Sequence, residues 1–108
     1  MYTYYGTVVH VVDGDTVDVE LDLGFDVKIK QRVRLNGIDA PERFTEEGKQ
    51  ATKFVTDWVK LNPNVIINSY KNEYDKYGRY LADISANEWD ESLAEEMISQ
   101  GLAKSYPA

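Results

Sequence analysis

Residues 16–35 alternate apolar and charged side chains twice, on either side of a glycine, and this leaves room for little but a β-hairpin. A repeat of two is that of a strand, whose successive side chains point to opposite faces. Val17, Val19, Leu21 and Leu23 fall on one face, with Asp18, Glu20 and Asp22 on the other. Val27, Ile29, Val33 and Leu35 repeat the pattern, opposed by Lys28, Lys30, Arg32 and Arg34. Gly24 marks the turn between the two runs. Pairing Asp22 with Lys28, Glu20 with Lys30 and Asp18 with Arg32 keeps both apolar rows on one face. It also sets an acid against a base at every outward position. Continued, the same register puts Thr16 opposite Arg34 and Asp15 opposite Leu35.

Around this hairpin the other elements fall into order. Residues 4–12 are β-branched and aromatic and read as a preceding strand. Thr45-Glu46-Glu47 has the capping hydroxyl and early acids of a helix start, and Ala51, Phe54, Val55 and Trp58 follow at helical spacing until Asn62-Pro63. Val65-Ile66-Ile67 begins a fourth strand and residues 80–84 form a fifth, with polar turn material over 72–78 between them. Ser92 to Glu95 has the pattern of a capping box, Met97 and Ile98 carry its apolar face, and Gly101 closes that second helix. Five strands with a helix between the third and fourth predict a Greek-key barrel of the oligonucleotide-binding (OB) type, a single domain over residues 1–108 with a second helix at its C-terminal end.

Composition narrows the chemistry. The chain has 108 residues, no cysteine and one histidine, His10, which excludes thiol catalysis, zinc fingers and His-pair metal sites. No apolar run approaches the roughly 20 residues of a membrane span, and the opening residues lack the pattern of a signal peptide. On that reading the chain is cytoplasmic as written, or secreted if a leader has been removed. A formal charge of −7 argues at face value against a nucleic-acid partner. The charge is unevenly spread, however: residues 28–79 hold eleven bases against seven acids, and the acidity sits at the two ends. A local cationic surface is compatible with that pattern.

Each of three loops, taken alone, reads as ordinary turn chemistry: Asp13-Gly14-Asp15-Thr16, Gly37 to Glu42, and Asp75 to Arg79. The register changes this for the first two. It gathers Asp13, Asp15, Asp39 and Glu42 at one sheet end beside Arg34. Crowded carboxylates repel unless a cation neutralises them. An oxygen-only donor set suits Ca²⁺ and disfavours zinc. The alternative is a carboxylate cluster held by Arg34 and Arg32 with no metal.

Four segments in this order resemble the staphylococcal nuclease-like (thermonuclease) family: Val12 to Val17, Val33 to Glu42, Asp75 to Ala82, and Gly101 to Lys104. The resemblance implies an OB-fold barrel and a calcium-dependent phosphodiesterase acting on DNA and RNA. It implies Asp15 and Asp39 as metal ligands with the Ala40 carbonyl, Glu42 as the catalytic carboxylate, and Arg34 and Arg79 as phosphate-gripping arginines. It places Lys76 and Tyr77 in the nucleotide pocket, and Tyr106, one residue out of step, near a base-stacking tyrosine. Unlike well-known secreted members, this sequence has a short, acidic stretch after Glu42 in place of a lysine-rich loop. It also runs only seven residues past Gly101, short of a third helix. The expectation is a monomer that needs no protein partner. The alternatives are an OB-fold module that binds nucleic acid or a protein without cutting, and a purely structural calcium site.

Overall fold

The computed structural model describes residues 2–74 and 79–106. In chain order its elements are β1 (Tyr2–Asp13), β2 (Thr16–Asp22), β3 (Lys28–Leu35), β4 (Ile38–Asp39), α1 (Glu46–Leu61), β5 (Val65–Tyr74), β6 (Tyr80–Ser85), α2 (Leu93–Ser99) and β7 (Lys104–Ser105). Five strands close a barrel in the order β1-β2-β3-β6-β5, while β4 and β7 form a separate two-stranded sheet. All barrel neighbours are antiparallel except β3 and β6. This is the OB-type barrel with two helices that the patterning predicts.

The hairpin takes the expected register, from Thr16 opposite Arg34 to Asp22 opposite Lys28. The pairing continues one step further, with the Leu35 amide donating to the Asp15 carbonyl at 2.8 Å. Arg32 Nε meets Asp18 at 2.8 Å, as the opposed charges require. Val17, Val19, Leu21, Val33 and Leu35 line the core with Ile67, Ile84 and Met97. Leu23, Val27 and Ile29, expected on the same inner face, are instead exposed. The hairpin tip runs past the end of the core, so these side chains have nothing to pack on. The turn itself holds Gly24, Phe25 and Asp26 at φ of 80°, 54° and 61°.

Long β1 serves two neighbours, pairing with β5 over Tyr2–Gly6 and with β2 over Tyr5–Asp13. Register shifts between Val8 and His10 and between Val11 and Asp13 bend it so that the sheet can close on itself. β5 extends to Tyr74, so part of the stretch expected as turn is strand.

Both helices start and stop on the predicted residues. The Thr45 hydroxyl caps α1 by accepting from the Gly48 amide at 3.0 Å. α2 has a complete capping box between Ser92 and Glu95. Its exit is a Schellman turn, with Gly101 at φ 73° and the Leu102 amide reaching the Met97 carbonyl at 2.9 Å. α1 buries Ala51, Val55 and Trp58, and Trp58 Nε1 donates to Glu96 Oε2 at 2.8 Å, tying the two helices together. Among the described residues no helix is long and apolar enough to cross a membrane.

Candidate active site

The site forms where β2 begins, β3 ends and the following loop folds back. Asp15, the last residue before β2, is buried, and Thr16 behind it is almost fully enclosed. The Asp13-Gly14-Asp15 turn that presents them is closed by an Asx contact in which the Asp15 amide donates to Asp13 Oδ1 at 3.1 Å. Gly14 is needed here for room: a Cβ would lie 2.9 Å from the Ala51 side chain and 3.0 Å from that of Ala40.

Arg34 occupies the centre. Its Nη2 donates to the Ile38 carbonyl at 3.1 Å and to Asp39 Oδ1 at 3.2 Å, and lies 3.7 Å from Asp15 Oδ2. The Ala40 amide donates to that same Asp15 oxygen at 3.0 Å. Asp39 is held in place by strand pairing, with Ile38 opposite Ser105 and Asp39 opposite Lys104. The Tyr106 amide then donates to the Gly37 carbonyl at 2.8 Å, and its ring lies 5.1 Å from the Arg34 guanidinium carbon. Arg79, at the start of β6, reaches the same corner through Nη1, which donates to Thr16 Oγ1 at 3.0 Å. The Thr16 hydroxyl in turn donates to Asp15 Oδ1 at 3.1 Å. Thr16 thereby links an arginine to a carboxylate. Nothing in its residue type announced this, although its register opposite Arg34 was readable.

Burial pushes the Asp13 carboxyl above its ordinary value, and its hydrogen bond to and repulsion from Asp15 add to that. Asp15 responds in the opposite direction. Burial alone would raise it, but hydrogen bonds from Asp13, the Ala40 amide and Thr16, with the Arg34 charge, together hold it below the ordinary range. Of the two, Asp15 is therefore the carboxyl that gives up its proton first.

The four-carboxylate cluster expected from the register is not assembled. Among the described residues no three His, Cys, Asp or Glu side chains group as a metal site. Asp15 and Asp39 both reach Arg34, which supplies the positive charge between them. Glu42 is exposed. Its main chain is fixed instead, because its carbonyl accepts from the Thr45 amide at 3.0 Å and the Thr45 hydroxyl at 2.7 Å. Gly48, in the first turn of α1, passes so close that a Cβ there would sit 1.7 Å from the Glu42 oxygen. Arg34, Asp39, Ala40 and Tyr106 thus come together with Asp15, and Arg79 joins them through Thr16. Lys76 and Tyr77 lie outside the described residues. The side-chain donors that Asp15 and Asp39 bring to this corner are all oxygen, which fits a hard cation and does not fit zinc.

The fold and this corner define a small OB-type barrel that carries two arginines and two carboxylates at one rim. The family described as staphylococcal nuclease homologue matches residues 32–108. The chain is 34% identical to a thermonuclease of Staphylococcus hyicus over 90% of this chain and 53% of that protein. It is 33% identical to an uncharacterized protein of Methanocaldococcus jannaschii, covering 95% of this chain and 59% of the other. An uncharacterized endonuclease of Escherichia coli O157:H7 is 31% identical, over 94% of this chain and 61% of that one. The chain thus spans little more than half the length of these curated relatives. It belongs to the staphylococcal nuclease homologue family.

Proposed function

We propose that this chain is a calcium-dependent phosphodiesterase that hydrolyses DNA and RNA as a monomer. The observation that carries this reading is the single corner in which Arg34 touches Asp39 and nears Asp15 while Arg79 is tied to Thr16. Membership of a family that includes a thermonuclease supports it. Arg34 and Arg79 grip the phosphate, since a guanidinium forms paired hydrogen bonds with phosphoryl oxygens where an ammonium is only a point charge. Glu42 takes a proton from a water molecule, whose oxygen then attacks phosphorus as the ester oxygen leaves. The carboxylates of Asp15 and Asp39 and the carbonyl of Ala40 would hold the calcium ion. When bound, it supplies positive charge against the charge developing on the phosphoryl oxygens. Lys76, Tyr77 and Tyr106 contact the nucleotide.

The test is incubation of labelled single-stranded DNA with the protein in Ca²⁺ and then in chelator. Cleavage that needs the ion supports the proposal. Uncut DNA that is nevertheless retained would favour the module that binds without cutting. Glu42→Gln should keep the melting temperature and cut hydrolysis by about 100-fold or more; full activity in that variant removes Glu42 from the mechanism.

A further inference from the structure

Among the described residues the buried polar side chains are Asp15, Thr16 and Ser92. Ser92 caps α2, and Asp15 is held by the Ala40 amide beside Arg34. Thr16, only 1% exposed, needs its own account. Valine would fill the same space, and a buried hydroxyl costs stability unless it is hydrogen-bonded. This one is bonded on both sides. Thr16 Oγ1 accepts from Arg79 Nη1 at 3.0 Å and donates its single proton to Asp15 Oδ1 at 3.1 Å. A guanidinium can only donate and an ionised carboxylate can only accept, so the direction of both bonds is fixed.

The sheet explains the meeting. Thr16 on β2 lies opposite Arg34 on β3, and Arg34 pairs in turn with Leu81 on β6, two residues beyond Arg79. Three adjacent strands therefore bring both arginines to the end of β2, where Asp15 sits. The two reach it differently. Arg34 Nη2 comes within 3.7 Å of Asp15 Oδ2 with nothing between them. The Arg79 Nη1 atom stands two hydrogen bonds away from Asp15 Oδ1, with the Thr16 hydroxyl interposed. A direct pair between that guanidinium and the carboxylate would be the stronger contact, since both partners carry charge. It would also turn the fork of Arg79 inward and set its charge against Asp15. The hydroxyl anchors the guanidinium by one N–H and stops it short of that pairing.

We propose that Thr16 is a positioning residue: its hydroxyl fixes Arg79 at the rim and spaces it from Asp15, so that the guanidinium meets phosphate instead of the carboxylate. The inference rests on the nuclease reading for the phosphate, and on hydrogen-bond geometry alone for the anchor.

The test is a double-mutant cycle on Thr16 and Arg79. Thr16→Val removes the hydroxyl at nearly constant shape, and Thr16→Ser keeps it. With labelled single-stranded DNA in Ca²⁺, Thr16→Val should lower kcat/KM by about tenfold or more, the size of a hydrogen bond to a charged group. Thr16→Ser should restore most of that loss. In an Arg79→Ala background the valine penalty should all but vanish, because no guanidinium is left to place. An equal penalty in both backgrounds means that the hydroxyl serves Asp15 alone, and overturns the proposal. So does full activity in Thr16→Val, or a serine variant as poor as the valine one. Nitrogen-15 magnetic resonance of the ligand-free protein reads the anchor without any reaction. Held at Nη1, the Arg79 guanidinium should rotate slowly and give resolved Nη signals, which merge in Thr16→Val. Merged signals in the parent overturn the proposal even if the valine variant does not fold, and signals unchanged in a folded valine variant do the same. Resolved signals that merge in Thr16→Val, in a parent that cuts nothing, keep the anchor and sink the nuclease reading alone.

Discussion

Replacing Gly48 by alanine sets two effects of known size against each other. In the first turn of α1 the exchange should favour the helix, because alanine is better than glycine there by about 1 kcal/mol. Against this, the new Cβ would stand 1.7 Å from the Glu42 carbonyl oxygen. Reaching ordinary contact at about 3.5 Å requires the two atoms to part by roughly 1.8 Å. Neither side can yield cheaply. The Glu42 carbonyl is held by the Thr45 amide and hydroxyl at 3.0 and 2.7 Å, and the same hydroxyl caps Gly48 at 3.0 Å. Losing the cap costs about 1 kcal/mol, and the overpacking adds about 1–3 kcal/mol. After the helix gain is subtracted, the expected net loss is about 2 kcal/mol. For a domain this small that lowers the melting temperature by roughly 8–15 °C. The displaced backbone carries Glu42, so hydrolysis measured well below the melting point should fall by about 100-fold, the usual consequence of misplacing a reacting group by an ångström or more. Urea unfolding and a DNA cleavage assay on the same preparation measure both. A variant as stable as the parent would refute the clash, and a destabilised variant with undiminished turnover would detach Glu42 from the chemistry.

Tyr106→Ala removes the ring beside the Arg34 guanidinium, which lies 5.1 Å from it; KM for single-stranded DNA should rise about two- to fivefold with kcat little changed, while Tyr106→Phe keeps the parent values. Met97 is fully buried, so Met97→Ala should cost about 2–5 kcal/mol in urea unfolding. Asp18 is held below its ordinary value of 3.8, chiefly by its hydrogen bond from Arg32. A depressed carboxylate stabilises the fold above its unfolded pKa and loses that contribution as pH falls through the folded one. The stability gap between the parent and Asp18→Asn should therefore be constant at neutral pH and close below about pH 4, and a gap unchanged in acid would refute it.

The hairpin register was legible because it is doubly encoded, by apolar alternation and by opposed charges. Helix ends were legible because capping is local: Thr45, Ser92 and Gly101 act within a few residues of themselves. Periodicity told which side chains share a face but not where the core stops, which is why Leu23, Val27 and Ile29 read as interior. The short sheet of β4 and β7 has two residues per strand, too few to carry any period. At the site, register brought Asp15 to Arg34 correctly. That one guanidinium would stand between Asp15 and Asp39 depends on distances that no spacing rule contains, as does the closeness of Gly48 to Glu42.

The pairing of β4 with β7 joins residues made far apart in time. Asp39 leaves the ribosome 65 residues before its partner Lys104. Closing a loop of that length carries an entropic cost that later contacts must offset, and chains emerge N-terminal end first. The hairpin with Asp15 and Arg34 can form early, but the segment bearing Asp39 acquires its strand partner only after α2 has been synthesised. Completion of the corner is then among the last events of folding. A nascent chain, or one damaged in α2, would hold its arginine and first carboxylate yet lack the brace on the second.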